Sequence, residues 1–430
     1  MIKLEKIYNL FAKSSGVYTD TRKPLIGGVF IALKGPSFNG NSYALKAINQ
    51  GAISAIIDDD ELSKTSKKFI YVKDTYSTLK SLANHHRKKL NCPVLAITGS
   101  NGKTTTKEVV KKVLEKGYKT HATAGNLNNH IGVPLTLLST PLSSEFLILE
   151  MGANHINEIA ELCKIAEPTH GLITNFGKAH IEGFGSEIGV INGKSELYSY
   201  LSISKGVIFV DIDNKKQISK LGKTPYISFG DNKKSNYYIS YLSRNNKLEL
   251  SFKGLKIISS LHGEYNLKNL AAAIIIGNFF KIPTNKIQTV IELYKSNNNR
   301  SQLVKLKNYN IILDAYNANP SSMEVALKSF QKRYSKSNLI IIGDMLELGN
   351  LSVSFHEEII QLANKLSFSK IISVGKNFID TKNYSSNMLN FRSTKELIKH
   401  LTNNPIKEKN IFIKGSRSMG LEKILSVFQK

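Results

Sequence analysis

Cysteine is nearly absent, with Cys92 and Cys163 the only two in 430 residues. That excludes a disulfide framework and points to a reducing, cytoplasmic setting. Neither cysteine has the spaced partners of a zinc site. Long apolar runs are missing as well. The most apolar window, Leu270 to Phe280, is too short to cross a bilayer and contains Gly277 and Asn278. The opening residues, Met1-Ile-Lys-Leu-Glu-Lys-Ile-Tyr8, include an acid and lack an unbroken apolar core, so neither a signal peptide nor membrane insertion is expected. Acidic residues are few, 33 against 59 Lys and Arg, for a net charge of +26. Such a balance raises nucleic acid as a partner. Here the lysines are spread along the whole length, with no arginine-rich arm and no single aromatic-plus-basic strip. We read a solvated basic surface that also attracts polyanionic small substrates, with no nucleic acid partner.

The length suggests about three domains on a prior of roughly 150 residues each. In the first block, residues 28–33 and 54–57 read as buried strands, 34–40 as a turn-rich loop, and 44–50 and 77–90 as helices. Basic residues His85, His86 and Arg87 at the end of that second helix suit its dipole and need no functional reading. Asn91-Cys-Pro93 is a plausible boundary. From there to Asn299, strands at 93–98, 146–150, 170–175 and 206–210 alternate with helices at 103–116, 186–201, 266–280 and 285–295. That rhythm predicts a doubly wound, mostly parallel sheet. Residues 236–261, containing Arg244-Asn-Asn-Lys247, suggest an antiparallel hairpin on its edge. After the polar run Ser296-Asn-Asn-Asn299, a smaller Rossmann-like α/β block is expected. Its strands fall at 310–314, 338–343, 370–374 and 410–413, and its helices at 321–333, 353–366, 394–402 and 420–428. The expected division is therefore 1–91, 92–299 and 300–430.

The stretch that carries chemistry is Gly99-Ser-Asn-Gly-Lys-Thr-Thr105, between the 93–98 strand and the helix that follows. A glycine-rich turn at a helix N-terminus presents backbone N–H groups and a positive dipole end to a phosphate. Lys103 would reach the outer phosphates, and the Thr104 hydroxyl would ligate Mg²⁺. Ile97 stands where the first glycine of the common phosphate-loop pattern belongs, so this is a compact variant. Mg²⁺ needs hard oxygen ligands at the carboxyl edge of the same sheet. Glu150, ending an apolar strand, is either such a ligand or a cap for the next helix. His180, in the Gly-rich loop after the next strand, is a metal or phosphate ligand or an ordinary packed histidine. Lys194 reads from spacing alone as a surface lysine.

The ordered motifs resemble those of the Mur ligases, ATP-dependent amide-forming enzymes of peptidoglycan synthesis. They are the loop at 99–106, Glu150-Met-Gly, Asn175-Phe-Gly-Lys-Ala-His180, Tyr265-Asn-Leu-Lys-Asn269, Asn299-Arg300 and Asp314-Ala-Tyr-Asn-Ala-Asn-Pro320. Gly125-Asn-Leu-Asn-Asn-His-Ile-Gly-Val-Pro-Leu-Thr136 and Gly343-Asp-Met-Leu-Glu-Leu-Gly349 look like those of the member that adds D-alanyl-D-alanine to UDP-N-acetylmuramoyl-tripeptide. The similarity runs from about Thr19 to Glu422.

The resemblance implies that Gly99, Ser100, Asn101, Gly102, Lys103, Thr104 and Thr105 hold ATP together with Asn266, Asn269, Arg300 and Asp314. Thr104, Glu150, His180 and Lys194 would serve two Mg²⁺ ions, Lys194 as a carbamate, with Lys103, Glu150, His180 and Lys194 carrying catalysis. Thr21, Arg22 and Lys34 would meet the uridine nucleotide, and Asn128 and Asn129 the muramoyl substrate. Asn317, Asn319 and Lys414 would meet substrate from the last block, where Lys414-Gly-Ser-Arg417 resembles the family's terminal motif. A cytoplasmic monomer that closes around its ligands is expected. Two features depart from the family or stay open: Tyr265 replaces a usual histidine, and His356 follows a familiar run in what reads equally as a helix-surface role. Rival readings are another amide ligase of the superfamily, a nucleic-acid-stimulated ATPase, or a nucleotide-binding protein without catalysis.

Overall fold

The computed structural model describes residues 4–244, 247–381 and 387–429. Three blocks follow one another, each built on its own sheet. The first carries four parallel strands in the order Val17–Tyr18, Val29–Ile31, Ser54–Ile57, Phe69–Tyr71. Its long helix, Thr75–Arg87, starts at Asp74, whose carboxylate accepts from the N–H groups of Tyr76 and Ser77. His86 and Arg87 do more than suit the helix dipole: both are buried. Arg87 donates to the carbonyls of Ala166 (2.8 Å) and Glu167 (3.0 Å), and His86 Nε2 bonds the Thr140 carbonyl (2.8 Å). The helix end thus fastens the first block to the second.

The second block is a seven-stranded parallel sheet. Val94–Thr98 lies in it between Phe146–Glu150 and His170–Ile173. All three strands are apolar and almost wholly buried, as a sheet covered on both faces requires. Pairing sets Ile97 opposite Glu150 and Thr98 opposite Ile173. The phosphate-loop candidate, Glu150 and the Thr174–His180 loop therefore leave the sheet at one level of its carboxyl edge. Helix Asn266–Phe279 is buried over most of its surface and packs on Lys103–Leu114.

The expected edge hairpin is instead a separate antiparallel sheet of Ser240–Arg244, Lys247–Phe252 and Leu255–Ser259. Leu248, Leu250, Phe252 and Ile257 bury one face in the core that contains Asn266–Phe279 and Thr284–Leu293. That apolar face draws the sheet onto the helices rather than into the main ladder. Asn245 and Asn246 of the expected turn lie outside the described residues, as do Met1 to Lys3.

The third block has six strands, in the order Gln302–Lys305, Asn310–Asp314, Asn410–Lys414, Asn338–Gly343, Lys370–Val374, Met388–Phe391. The first runs antiparallel to its neighbour and the rest are parallel. The expected 420–428 helix is shorter, with a 3₁₀ turn over Leu421–Ile424 before Leu425–Phe428. His356 is not on a helix surface. It is fully buried, Nδ1 donating to Ser352 O (2.6 Å) and Nε2 accepting from Met345 N–H (3.0 Å). Among the described residues no helix is long and apolar enough to cross a membrane.

Candidate active site

Two glycines shape the loop after Val94–Thr98. Gly99 has φ +137°, and a Cβ there would sit 2.0 Å from Thr174 Oγ1. Gly102 has φ +82°, and a Cβ there would sit 2.5 Å from Asn269 Oδ1. Both positions therefore need glycine for conformation and for space. The Ser100 and Asn101 amides are committed sideways, to Asn175 O (3.0 Å) and Asn175 Oδ1 (3.1 Å). Thr174 Oγ donates to Asn101 O (2.6 Å), closing the same brace. The helix Lys103–Leu114 begins directly after the turn, so its first-turn amides have no intrahelical partner and remain to bind an anion. Lys103 Nζ folds back onto Gly99 O (2.6 Å), and burial depresses its pKa.

Behind the loop lies a buried group of charges. Glu150 is 1% exposed, and its Oε1 accepts from Asn128 Nδ2 (2.8 Å). Oε2 has no hydrogen-bond partner, and the nearest cation is Lys107 Nζ at 3.7 Å. Lys107, itself buried, also donates to Thr123 O (2.7 Å). Lys194 lies in helix Glu187–Ser204 and is fully buried rather than on the surface. Its amine has no hydrogen-bond partner and sits 5.2 Å from the Phe184 ring centre. Burial, with Lys103 nearby, pushes its pKa down to about 7. Glu196, two residues on, accepts from the N–H groups of Asn157 and Ala160 at the start of the Glu158–Ala166 helix.

The third block closes the far side. Asn319 caps helix Pro320–Arg333, and its Nδ2 donates to Asn101 Oδ1 (2.8 Å), tying that cap to the phosphate-loop candidate. Asp314 accepts from Lys414 Nζ (2.6 Å) and Ser301 N–H (3.1 Å). Lys414 also donates to the Asn317 carbonyl (3.1 Å). The Arg300 guanidinium stacks 3.7 Å from the Tyr316 ring centre. Tyr265, the family's usual histidine position, shares a 2.5 Å hydrogen bond with Ser301 Oγ, so here its tip joins the second block to the third. His180, at φ +54°, pairs through Nδ1 with Glu347. A cavity of about 930 Å³ lies between these groups, bounded by both blocks.

Two family models match the chain: the Mur ligase middle domain over residues 97–277, and the Mur ligase glutamate ligase domain over 299–417. A UDP-N-acetylmuramoyl-tripeptide–D-alanyl-D-alanine ligase of Bacillus subtilis is 32% identical, over 95% of this chain and 92% of its own. The chain belongs to the Mur ligase family. Two solved MurF structures share its fold across 98% of each chain. The Acinetobacter baumannii enzyme has TM-score 0.84 at 26% identity, and the Thermotoga maritima enzyme, solved with ADP, has TM-score 0.85 at 24% identity.

This Mur ligase brings most of its expected site residues to one cavity. Ser100 to Thr105, Asn128, Asn129, Glu150, His180, Asn266, Asn269, Arg300, Asp314, Asn317, Asn319 and Lys414 all line it. Gly99 and Lys194 are not among the lining residues. Asn129 Oδ1 is engaged by the amides of Ile131 and Gly132. Thr21, Arg22 and Lys34 do not line the cavity. Thr21 is buried, Arg22 pairs with Asp20 (2.6 Å), and Lys34 pairs with Asp58 (2.9 Å). Sequence reasoning passed over Lys107, one turn into the loop's helix, and Glu347 and Tyr316, which sit inside quoted motifs without a role. A lysine whose neighbours along the helix are buried valines was the available signal for Lys107.

Proposed function

We propose that this chain joins D-alanyl-D-alanine to the terminal carboxylate of UDP-N-acetylmuramoyl-tripeptide, using ATP and releasing ADP and phosphate. The observation that carries this reading is full-length similarity to ligases of that name, with the phosphate-loop candidate and the third block facing one cavity. The tripeptide carboxylate oxygen attacks the γ-phosphorus of ATP, ADP leaves, and an acyl phosphate forms. The dipeptide's α-ammonium gives one proton to solvent, the free amine attacks the carbonyl carbon, phosphate departs with the C–O electron pair, and the nitrogen's surplus proton passes to that phosphate. Lys103 and the first-turn amides would balance charge on the transferring phosphoryl group. The first block, residues 1–91, would hold the uridine nucleotide, residues 92–299 the ATP, and residues 300–430 the incoming dipeptide. Enclosure between blocks shields the acyl phosphate from water.

Mg²⁺ fits the donors present. The Glu150 Oε2 atom is buried without a partner and Thr104 stands on the cavity wall. Among the described residues no cluster of three His, Cys, Asp or Glu side chains would hold a metal alone. Ion binding here therefore rests on Glu150, Thr104 and substrate oxygens, with His180 for a second ion. Bound Mg²⁺ would neutralise phosphate charge. A neutral, unpartnered Lys194 amine is the form that adds CO₂, and a carbamate would replace a repelling ammonium with an anion. The protein is taken as a cytoplasmic monomer. ADP release should require UDP-muramoyl-tripeptide and rise sharply with D-alanyl-D-alanine. Release that ignores the dipeptide, or responds to DNA or RNA instead, would overturn this reading.

A further inference from the structure

The loop Asp344–Leu348 leaves strand Asn338–Gly343 and reaches over the cavity from the third block. It is held unusually firmly. The Asp344 carboxylate accepts from the N–H groups of Asn377 (3.0 Å) and Phe378 (3.1 Å). Met345 N–H donates to the buried His356, and Leu346 N–H donates to Ser416 Oγ (3.1 Å). Met345 and Leu348 are buried in the core on either side. Between these anchors Glu347 takes φ +64°, a left-handed conformation that crowds the Cβ of any residue other than glycine. Strain of this kind persists where the surroundings impose it, and it concentrates at ligand sites. Gly349, at φ +54°, packs so close to Glu182 that a Cβ there would sit 3.2 Å from its Cγ. The loop is therefore seated against the His180 loop of the second block.

The result is a carboxylate turned into the cavity, its side chain 55% exposed, with its pairing to His180 reaching across the blocks. The other cavity carboxylates have other commitments. Asp314 is held by Lys414 and Ser301, and Glu158 by His155 (2.8 Å) and the Asn154 amide (2.7 Å). Glu150 is almost wholly buried, its Oε1 held by Asn128 Nδ2 (2.8 Å). Glu347 is the acid that the third block presents toward Lys103, and its partner His180 is a group expected to turn to an ion. The amine that attacks an acyl phosphate arrives as an ammonium, which an anionic seat beside the reacting carbonyl holds until it gives one proton to solvent and its lone pair is free to attack.

We propose that Glu347 is that seat: it binds the α-ammonium of the incoming dipeptide and orients it toward the activated carboxyl. The assignment rests on the ligase reading given above. Glu347→Gln keeps the side chain's size and removes its charge. In the full-length enzyme it should raise the KM for D-alanyl-D-alanine about tenfold or more, while the KM for ATP stays within about twofold. Propionyl-D-alanine, which lacks the amine, should bind the parent far more weakly than the dipeptide does, and Glu347→Gln should erase that preference. Glu347→Asp, which keeps the charge, should recover part of the dipeptide affinity. An unchanged KM for the dipeptide overturns the assignment. So does an equal rise in KM for every substrate, which would mean that Glu347 acts only as a fastener between blocks. If the parent itself shows no dipeptide-dependent turnover, the ligase reading fails first and this assignment falls with it.

Discussion

Replacing Gly102 with alanine probes the turn on which the whole site depends. At φ +82° an alanine would carry a left-handed penalty of about 1–2 kcal/mol. Its Cβ would also lie 2.5 Å from Asn269 Oδ1, so the Asn269 side chain must move. That side chain donates to Asn266 Oδ1 (2.9 Å) and accepts from Thr106 Oγ (3.2 Å). Losing two buried hydrogen bonds adds about 1 kcal/mol each. Together the loss is about 3–4 kcal/mol, which lowers the melting temperature of a block this size by about 6–16 °C. Because the same turn aims the first-turn amides, the KM for ATP should rise about tenfold or more. Thermal denaturation and ADP-release kinetics on the purified variant read both effects. The double variant Gly102→Ala/Asn269→Ala removes the clash and loses the same two hydrogen bonds only once, so its destabilisation should fall short of the sum of the singles by about 2 kcal/mol. A single variant that melts within about 1 °C of the parent and keeps its ATP affinity would refute the steric argument.

Other outcomes follow from the same geometry. Glu150→Gln leaves an amide where an ion needs a carboxylate and should lower kcat about a hundredfold or more; ADP release across a Mg²⁺ titration checks it, and full activity would dismiss Glu150 as a ligand. Incubation with ¹³C-bicarbonate should give a carbamate resonance that disappears in Lys194→Ala, and a spectrum identical in both proteins would place no carbamate there. Burial holds the His86 pKa below its ordinary value, so the unfolded chain takes up a proton at higher pH than the folded one. Stability is then fully present above about pH 6.5 and falls as pH drops below it. Urea unfolding of His86→Gln between pH 5 and 7 should show a shallower decline, and an unchanged slope would contradict the assignment.

Much of the site was legible because it rests on backbone rules. A glycine turn between a buried strand and a helix, and an acid ending the neighbouring strand, need only local pattern and parallel topology to be placed together. The register of Ile97 with Glu150 bears that out. What escaped notice depends on contacts distant in sequence. Lys194 and His356 sit on helices whose solvent-facing side the pattern cannot settle, and both proved buried. Arg87 reads as a dipole residue until the carbonyls of Ala166 and Glu167 are seen above it. The separate sheet at 240–259 follows from which face of Leu248 and Leu250 is covered, a tertiary choice that alternation alone leaves open. Glu347 carries its meaning only once its loop is seen over the cavity.

Activation of a carboxylate as an acyl phosphate, in the cavity between the phosphate-loop candidate and the third block, has a direct isotopic test. UDP-muramoyl-tripeptide carrying ¹⁸O at both oxygens of its terminal carboxylate provides it. With ATP, Mg²⁺ and D-alanyl-D-alanine, the released phosphate should contain one ¹⁸O atom for each amide bond formed. Phosphate released without label, while the amide product accumulates, would contradict the account.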